Sequence, residues 1–186
     1  MIDLPAWKPR AAVACAGAAL VWVVSLYGLL VDEGVVYALA VVPRRFDGLS
    51  GILGAPLVHG SFAHLAANTL PLLILGGMVA MRGVAYYVTA TLAIVVLGGL
   101  GLWVFGRSAA HVGASGLIFG YFGLLVGRGY YERSLQSVAV AILVAMVYGG
   151  MLAGILPRDP GVSWEAHLFG LLAGGLCARA APGRQG

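Results

Sequence analysis

From Ala11 to Val31 the chain carries no charged side chain. A run of this length can cross a bilayer core of about 30 Å, which takes about 20 apolar residues as a helix. It constrains the fold strongly, because in hydrocarbon every backbone N–H and C=O of a spanning helix must be paired within the segment. Five more apolar stretches follow, at about residues 62–81, 84–105, 114–127, 135–156 and 162–180, the first of these five preceded by Pro56 and a Ser61 cap. Little chain is left over for anything but connections. The expectation is a single all-α membrane domain over residues 1–186, a six-transmembrane-helix bundle with a short fourth helix starting inside the membrane. Composition agrees: 61% of residues are hydrophobic and 10% charged, against about 25% charged in an average soluble domain. A soluble globular fold and disorder are both excluded. The 29 glycines keep no triplet period, and two cysteines cannot frame a disulfide scaffold.

Positive charge orients short-looped membrane proteins, and an even number of spans leaves both ends on one side. With a cytoplasmic N-terminus, Lys8, Arg10, Arg82, Arg128, Arg133, Arg179 and Arg184 fall inside, against Arg44, Arg45, Arg107 and Arg158 outside. Acids lean the other way, with Asp3 and Glu132 inside and Asp32, Glu33, Asp47, Asp159 and Glu165 outside. Both termini are therefore expected in the cytoplasm of a multi-pass cell-membrane protein. The net charge of +4 is this topology signal, and no basic stripe points to nucleic acid. Met1 to Arg10 is too short and broken for a signal peptide, so the first span is expected to stay in the membrane. Cys15 and Cys177, near cytoplasmic ends of spans, read as packing residues.

An ionisable or hydrogen-bonding side chain inside a span is a functional suspect, because burying it unpaired in hydrocarbon costs several kcal/mol. His64 and Asn68 near the start of the second span, Ser115 at the start of the fourth and His167 near the start of the sixth all fall at one depth, toward the outer side. One such residue would read as glue between helices; four from three helices read as a built site. His64 and Asn68, at i and i+4, share a helix face. His59 lies nearer the water and off that face, where a loop-to-helix hydrogen bond accounts for it.

A serine at a helix N-terminus is ordinarily a cap. Here, however, a fourth helix of about fourteen residues rises about 21 Å, too little to cross, so Ser115 is expected to be recessed in a wet cavity. Gly116, Gly120, Gly123 and Gly127 form a stripe behind it, and Gly170 and Gly174 share a face with His167. Helices with glycine stripes approach backbone to backbone, which would bring His167 to Ser115. An imidazole suits the task of taking a serine proton near neutral pH. Glu165 points to the other side of its helix and Asp159 lies in a loop, so the expected pair is a Ser-His dyad without a carboxylate. His64, Asn68 and the Ser115 amide can meet the negative charge that develops on an attacked carbonyl. The reaction class is acyl transfer to water.

These residues carry a family resemblance. His59-x4-His64-x3-Asn68, Gly113-Ala114-Ser115-Gly116 and Ala166-His167-x2-Gly170-x3-Gly174 resemble the three motifs of the rhomboid intramembrane serine proteases, in order and over nearly the whole chain. The resemblance implies Ser115 as nucleophile, His167 as general base, and His64, Asn68 and the Ser115 amide as the oxyanion hole. It further implies transmembrane protein substrates that enter laterally from the lipid bilayer between the second and fifth spans, are cut near the outer surface, and carry small residues around the cleaved bond. Three departures stand out: Phe119 where the family usually has a stacking Tyr, Ala80 where an acid is common, and a first outer loop (about residues 32–60) without the usual Trp-Arg pair, where Arg44, Arg45 and Phe46 are the candidates to replace it. Pro71 predicts a kink below Asn68.

Rival readings exist. Four histidines, His59, His64, His111 and His167, could surround a metal, but no H-E-x-x-H motif or accompanying carboxylate has ligand spacing. His111 reads as a solvated or loop-bonding side chain. A non-catalytic rhomboid-like protein that binds membrane clients is the main alternative, and a transporter a distant third, since no charged residues mark a midplane site. No cofactor or metal is implied, and nothing in the sequence sets an oligomeric state.

Overall fold

The computed structural model describes residues 7–180. Asp3 and Arg184 of the charge tally, and the start of the Met1–Arg10 segment, lie outside the described residues. Among the described residues eight helices follow in order: α1 Trp7–Leu30, α2 Gly34–Ala38, α3 Gly51–Gly54, α4 Phe62–Ala80, α5 Val84–Phe105, α6 Ser115–Glu132, α7 Leu135–Tyr148 and α8 Trp164–Ala180. Three 3-10 segments join them at Phe46–Gly48, Ala55–Leu57 and Gly149–Ile155. Among the described residues the extended backbone pairs at one isolated antiparallel bridge, Val41 with His111.

Among the described residues, four helices are long and apolar enough to cross a membrane: α1, α4, α5 and α7 together with its 3-10 continuation, Leu135–Ile155. The fourth long apolar stretch differs from expectation. Instead of stopping near Gly127, α6 runs 18 residues to Glu132, about 27 Å at 1.5 Å per residue, so shortness no longer argues for a recessed start. The added turn is held by charge: Arg128 donates to Glu132 one turn on, at 2.7 and 3.0 Å, and Arg82 from the α4–α5 turn grips the same carboxylate at 2.9 and 3.0 Å. Arg133 closes the helix in the left-handed conformation. Other ends follow simple capping. Ser61 Oγ accepts from His64 N–H at the start of α4, and Ser134 Oγ from Ser137 N–H at the start of α7. α4 runs continuously through Pro71.

α6 is the hub. Its residues from Leu117 to Leu125 are all buried, as a helix apolar on every side requires. Its closest neighbour is α8. A Cβ at Gly170 would strike the Gly116 carbonyl, and one at Gly174 the Gly120 carbonyl, so only glycine allows this approach. α5 closes on the same spot, with Gly98 against Gly170. α7 packs on the other side of α6 and leaves Ile142, Met146 and Val147 exposed. Cys177 is half-buried, but Cys15 is exposed on the outer face of α1 and does not pack as expected.

The segment between α1 and α4 is folded rather than loose. Arg44 donates to Val104 O, Gly106 O and Ser108 Oγ, satisfying carbonyls at the end of α5, and Trp103 Nε1 donates to Arg45 O. Phe46 lies against Trp103, 6.1 Å between ring centres. At the same end Arg107 pairs with the buried Glu165 at 3.0 Å and donates to Pro160 O and Val162 O. This fastens the loop ahead of α6 to the start of α8.

Candidate active site

Ser115 is the first residue of α6, and its position depends on how the four residues before it are held. Two main-chain bonds join His111 to Val41, at 2.9 and 3.0 Å. Gly113 N–H donates to Ala55 O at 2.8 Å, and Ala114 N–H to His59 Nε2 at 3.3 Å. Gly113 is required twice over. Its φ of +115° is one that side-chain-bearing residues rarely adopt, and a Cβ there would collide with the His64 ring.

His167, on the first turns of α8, meets this serine across the glycine contact. Its Nε2 lies 2.8 Å from Ser115 Oγ, and its Nδ1 lies 2.9 Å from the carbonyl oxygen of Gly154. A carbonyl can only accept, so Nδ1 carries the ring proton and Nε2 is left to accept from the serine hydroxyl. Phe119, one turn after Ser115, stacks on the imidazole with ring centres 4.2 Å apart and planes within 6°. The ring is thus held between an aromatic face from α6 and a carbonyl from the 3-10 end of α7. Glu165 is engaged with Arg107.

His64 and Asn68 stand on α4 as the i, i+4 spacing predicts, with Asn68 buried and His64 half-buried. The Asn68 side-chain amide donates to His64 O at 2.8 Å, so one of its two N–H bonds is already engaged and one is left for a ligand. His64 lies edge-on to His59, 4.8 Å between centres. His59 is fully buried. Burial lowers its pKa to about 4, with the neighbouring His64 pushing the same way. His111 is not solvated: it is buried, with Nδ1 2.6 Å from Ser163 Oγ and Nε2 3.0 Å from Arg107 O. Burial likewise lowers its pKa. Among the described residues, no three His, Cys, Asp or Glu side chains converge to hold a metal ion.

The Rhomboid domain family matches residues 47–181 of this chain. The chain belongs to the rhomboid family. Its apolar helices make it a multi-pass membrane protein of that family. Among similar proteins, the Mycobacterium tuberculosis (strain ATCC 25618 / H37Rv) protein Rv1337, named as uncharacterized, is 42% identical over 145 residues, covering 73% of this chain and 60% of that protein. The Mycobacterium leprae (strain TN) protein ML1171, also named as uncharacterized, is 37% identical over 143 residues, 72% of this chain and 57% of its own length. A Bacillus subtilis (strain 168) protein named "Putative rhomboid protease YdcA" is 27% identical over 132 residues, 64% of this chain and 61% of its own. The match thus spans about three-fifths of the length of these relatives.

Three groups at this rhomboid site escaped the sequence reading. The carbonyls of Gly154 and Ala55 carry no residue signature, since any amino acid brings one. Ser25 Oγ, 2.9 Å from His59 Nδ1, did leave a signal as the one serine in the first apolar run.

Proposed function

We propose that this rhomboid is an intramembrane serine endopeptidase that hydrolyses peptide bonds in or near the transmembrane segments of membrane-protein substrates. The observation that carries the reading is the Ser115 Oγ to His167 Nε2 hydrogen bond of 2.8 Å, with the far ring nitrogen tied to Gly154 O. The name of the Bacillus subtilis relative leans the same way.

In the reaction, Ser115 Oγ attacks the scissile carbonyl carbon while its proton passes to His167 Nε2. The carbonyl oxygen takes the negative charge and is met by the Ser115 N–H at the positive end of α6, the free N–H of Asn68 and the His64 ring. The tetrahedral species collapses, the C–N bond breaks, and Nε2–H protonates the departing amine. Water then repeats the sequence on the acyl-serine ester: His167 takes its proton, the C–O bond to Ser115 breaks, and the serine recovers its hydrogen. The ring keeps its Nδ1–H bond to Gly154 O throughout, and that carbonyl takes the orienting role an acid would otherwise have.

In this reading α1, α4, α5, α6, α7 and α8 are the six spans, with α6 starting below the outer surface and both termini in the cytoplasm. Arg10, Arg82 and Arg128, all assigned inside, gather at one end around Met81 and Glu132, while Arg44 and Arg107 act at the other. Substrate enters from lipid between α4 and α7, and α7 packs principally on α6.

Labelling with a fluorophosphonate and cleavage of a reporter transmembrane segment test the assignment. Ser115→Ala should abolish both, and His167→Ala should slow them by about 10⁴-fold or more. Label that persists in Ser115→Ala overturns it. A wild-type protein that captures transmembrane clients but neither labels nor cuts is instead the client-binding rhomboid.

A further inference from the structure

Ser25 lies on α1, outside the residues that match the family. Its side chain is fully buried, although a hydroxyl facing hydrocarbon-like surroundings needs partners. It has two: Oγ donates to Leu57 O at 2.9 Å and lies 2.9 Å from His59 Nδ1. On the far side of that ring, Nε2 is 3.3 Å from the main-chain nitrogen of Ala114. The proton positions along this chain are determined by chemistry. A backbone N–H only donates, so Nε2 is bare; a neutral ring then carries its hydrogen on Nδ1 and gives it to Ser25 Oγ, whose own hydrogen goes to the Leu57 carbonyl. Every group is used once.

Resting on the reading of Ser115 as nucleophile, we infer that Ser25 is a positioning residue for that serine: it holds His59 in the Nδ1–H form, so that Nε2 pins the Ala114 amide and with it the entry into α6. The joint being pinned includes a glycine. Gly113 sits at φ +115°, and glycine reaches both signs of φ at little cost. Its N–H is tied to Ala55 O on one side and the next N–H to His59 on the other. Releasing the second tie frees the peptide ahead of Ser115, and the Ser115 N–H no longer holds its aim. With Ser25 gone, the ring can move its proton to Nε2, which then faces the Ala114 N–H donor to donor.

The test measures phosphonylation of Ser115 by a fluorophosphonate, with the maximal inactivation rate and the half-saturating concentration taken separately, alongside the ¹⁵N spectrum of the His59 ring in the full-length protein in detergent. Wild type should show the hydrogen on Nδ1. Ser25→Ala should shift it toward Nε2 and lower the maximal rate about three- to tenfold, with the half-saturating concentration unchanged; Ser25→Cys, nearly isosteric and a weaker partner, should fall between. In a His59→Gln background, Ser25→Ala should add nothing. The proposal is overturned by an unchanged tautomer, by an unchanged rate per folded molecule even with a lower melting temperature, or by effects that add in the double variant. Should Ser25→Ala fail to fold, Ser25→Cys faces the same outcomes. If wild-type Ser115 does not label at all, the nucleophile assignment fails, and the ring spectrum still decides whether Ser25 sets the tautomer.

Discussion

α8 and α7 both touch α6 and both hold His167, yet they are built in opposite ways. α8 lies backbone to backbone on α6, with Gly170 and Gly174 against the carbonyls of Gly116 and Gly120. α7 and its extension are barely covered: 6% of the most apolar stretch is buried, against 33% for α4. Exposed Ile142, Leu143, Met146 and Val147 line it, and it ends in a 3-10 segment with glycines at 149, 150 and 154. The tight contact sets where the imidazole is, and the loose element sets how the ring is turned, through one carbonyl. Close packing transmits displacement, whereas a lightly packed span can move without disturbing the core. The closely packed side and the side that, in the proposed function, admits a substrate are thus separate, and they meet at one ring.

The largest effect should come from breaking the tight side. Gly174→Ala places a methyl on the Gly120 carbonyl, and neither backbone can give way without separating the helices. A loss of about 3 kcal/mol or more in stability is expected, with fluorophosphonate labelling abolished as His167 leaves Ser115. Gly149→Ala and Gly150→Ala, where a Cβ meets nothing within 4 Å, should leave both unchanged. Denaturation in detergent read beside labelling checks this, and a Gly174→Ala protein as stable as wild type would erase the contrast between the two helices.

Gly154→Ala probes the single point where the loose element acts on chemistry. A Cβ there would sit 3.0 Å from His167 Nδ1 and 3.2 Å from the Phe119 ring, so the ring or the 3-10 segment must shift by a few tenths of an ångström. Small misplacements of a catalytic group are costly. About a tenfold fall in kcat is expected, with KM and melting temperature nearly unchanged. A matching loss of stability would instead make this segment part of the rigid core.

The loose side was harder to read from sequence than the tight side, for a physical reason. The apolar runs marked the long helices, and the glycine spacing at 116, 120, 170 and 174 pointed to the contact that the structure contains, because side-chain absence is itself visible. The end of α6 is not legible in the sequence, because Arg128 and Glu132 look like loop residues until the fold pairs them with each other and with Arg82. The partner of His167 Nδ1 is not a carboxylate but a main-chain oxygen, which no residue type signals. Ser25 looks like any hydroxyl in an apolar helix until the fold brings His59 beside it.

Acid should act on the loop that leads into α6 and not on α7. The folded-state pKa of His59 is lowered by burial to about 4 from an ordinary 6.5, so as pH falls from 6.5 toward 4 the unfolded chain takes up a proton that the folded protein resists. Stability is therefore full above about 6.5 and is lost through this window. His111, lowered in the same direction, adds to the slope. Below 6.5, hydrogen exchange should accelerate first at residues 111–115, which these rings hold, and not at the middle of α7. His59→Gln should flatten part of the acid slope in the melting temperature; a slope unchanged by that substitution would dissociate the ring from the loss.

The smallest effect expected is at Phe119, which holds the same imidazole from the α6 side. Phe119→Leu removes the stacked face but keeps an apolar body of similar reach, and an aromatic pair is worth about 0.5–1.5 kcal/mol beyond its burial. If that stabilisation serves to orient the ring, kcat falls about threefold, less than for Gly154→Ala, because a hydrogen bond fixes direction and a stack restricts only tilt. The double variant decides how the two supports are related. Rates that multiply mean that α6 and α7 hold the ring independently, whereas a double variant no slower than Gly154→Ala alone means that the stack works only once the carbonyl has turned the ring flat against it.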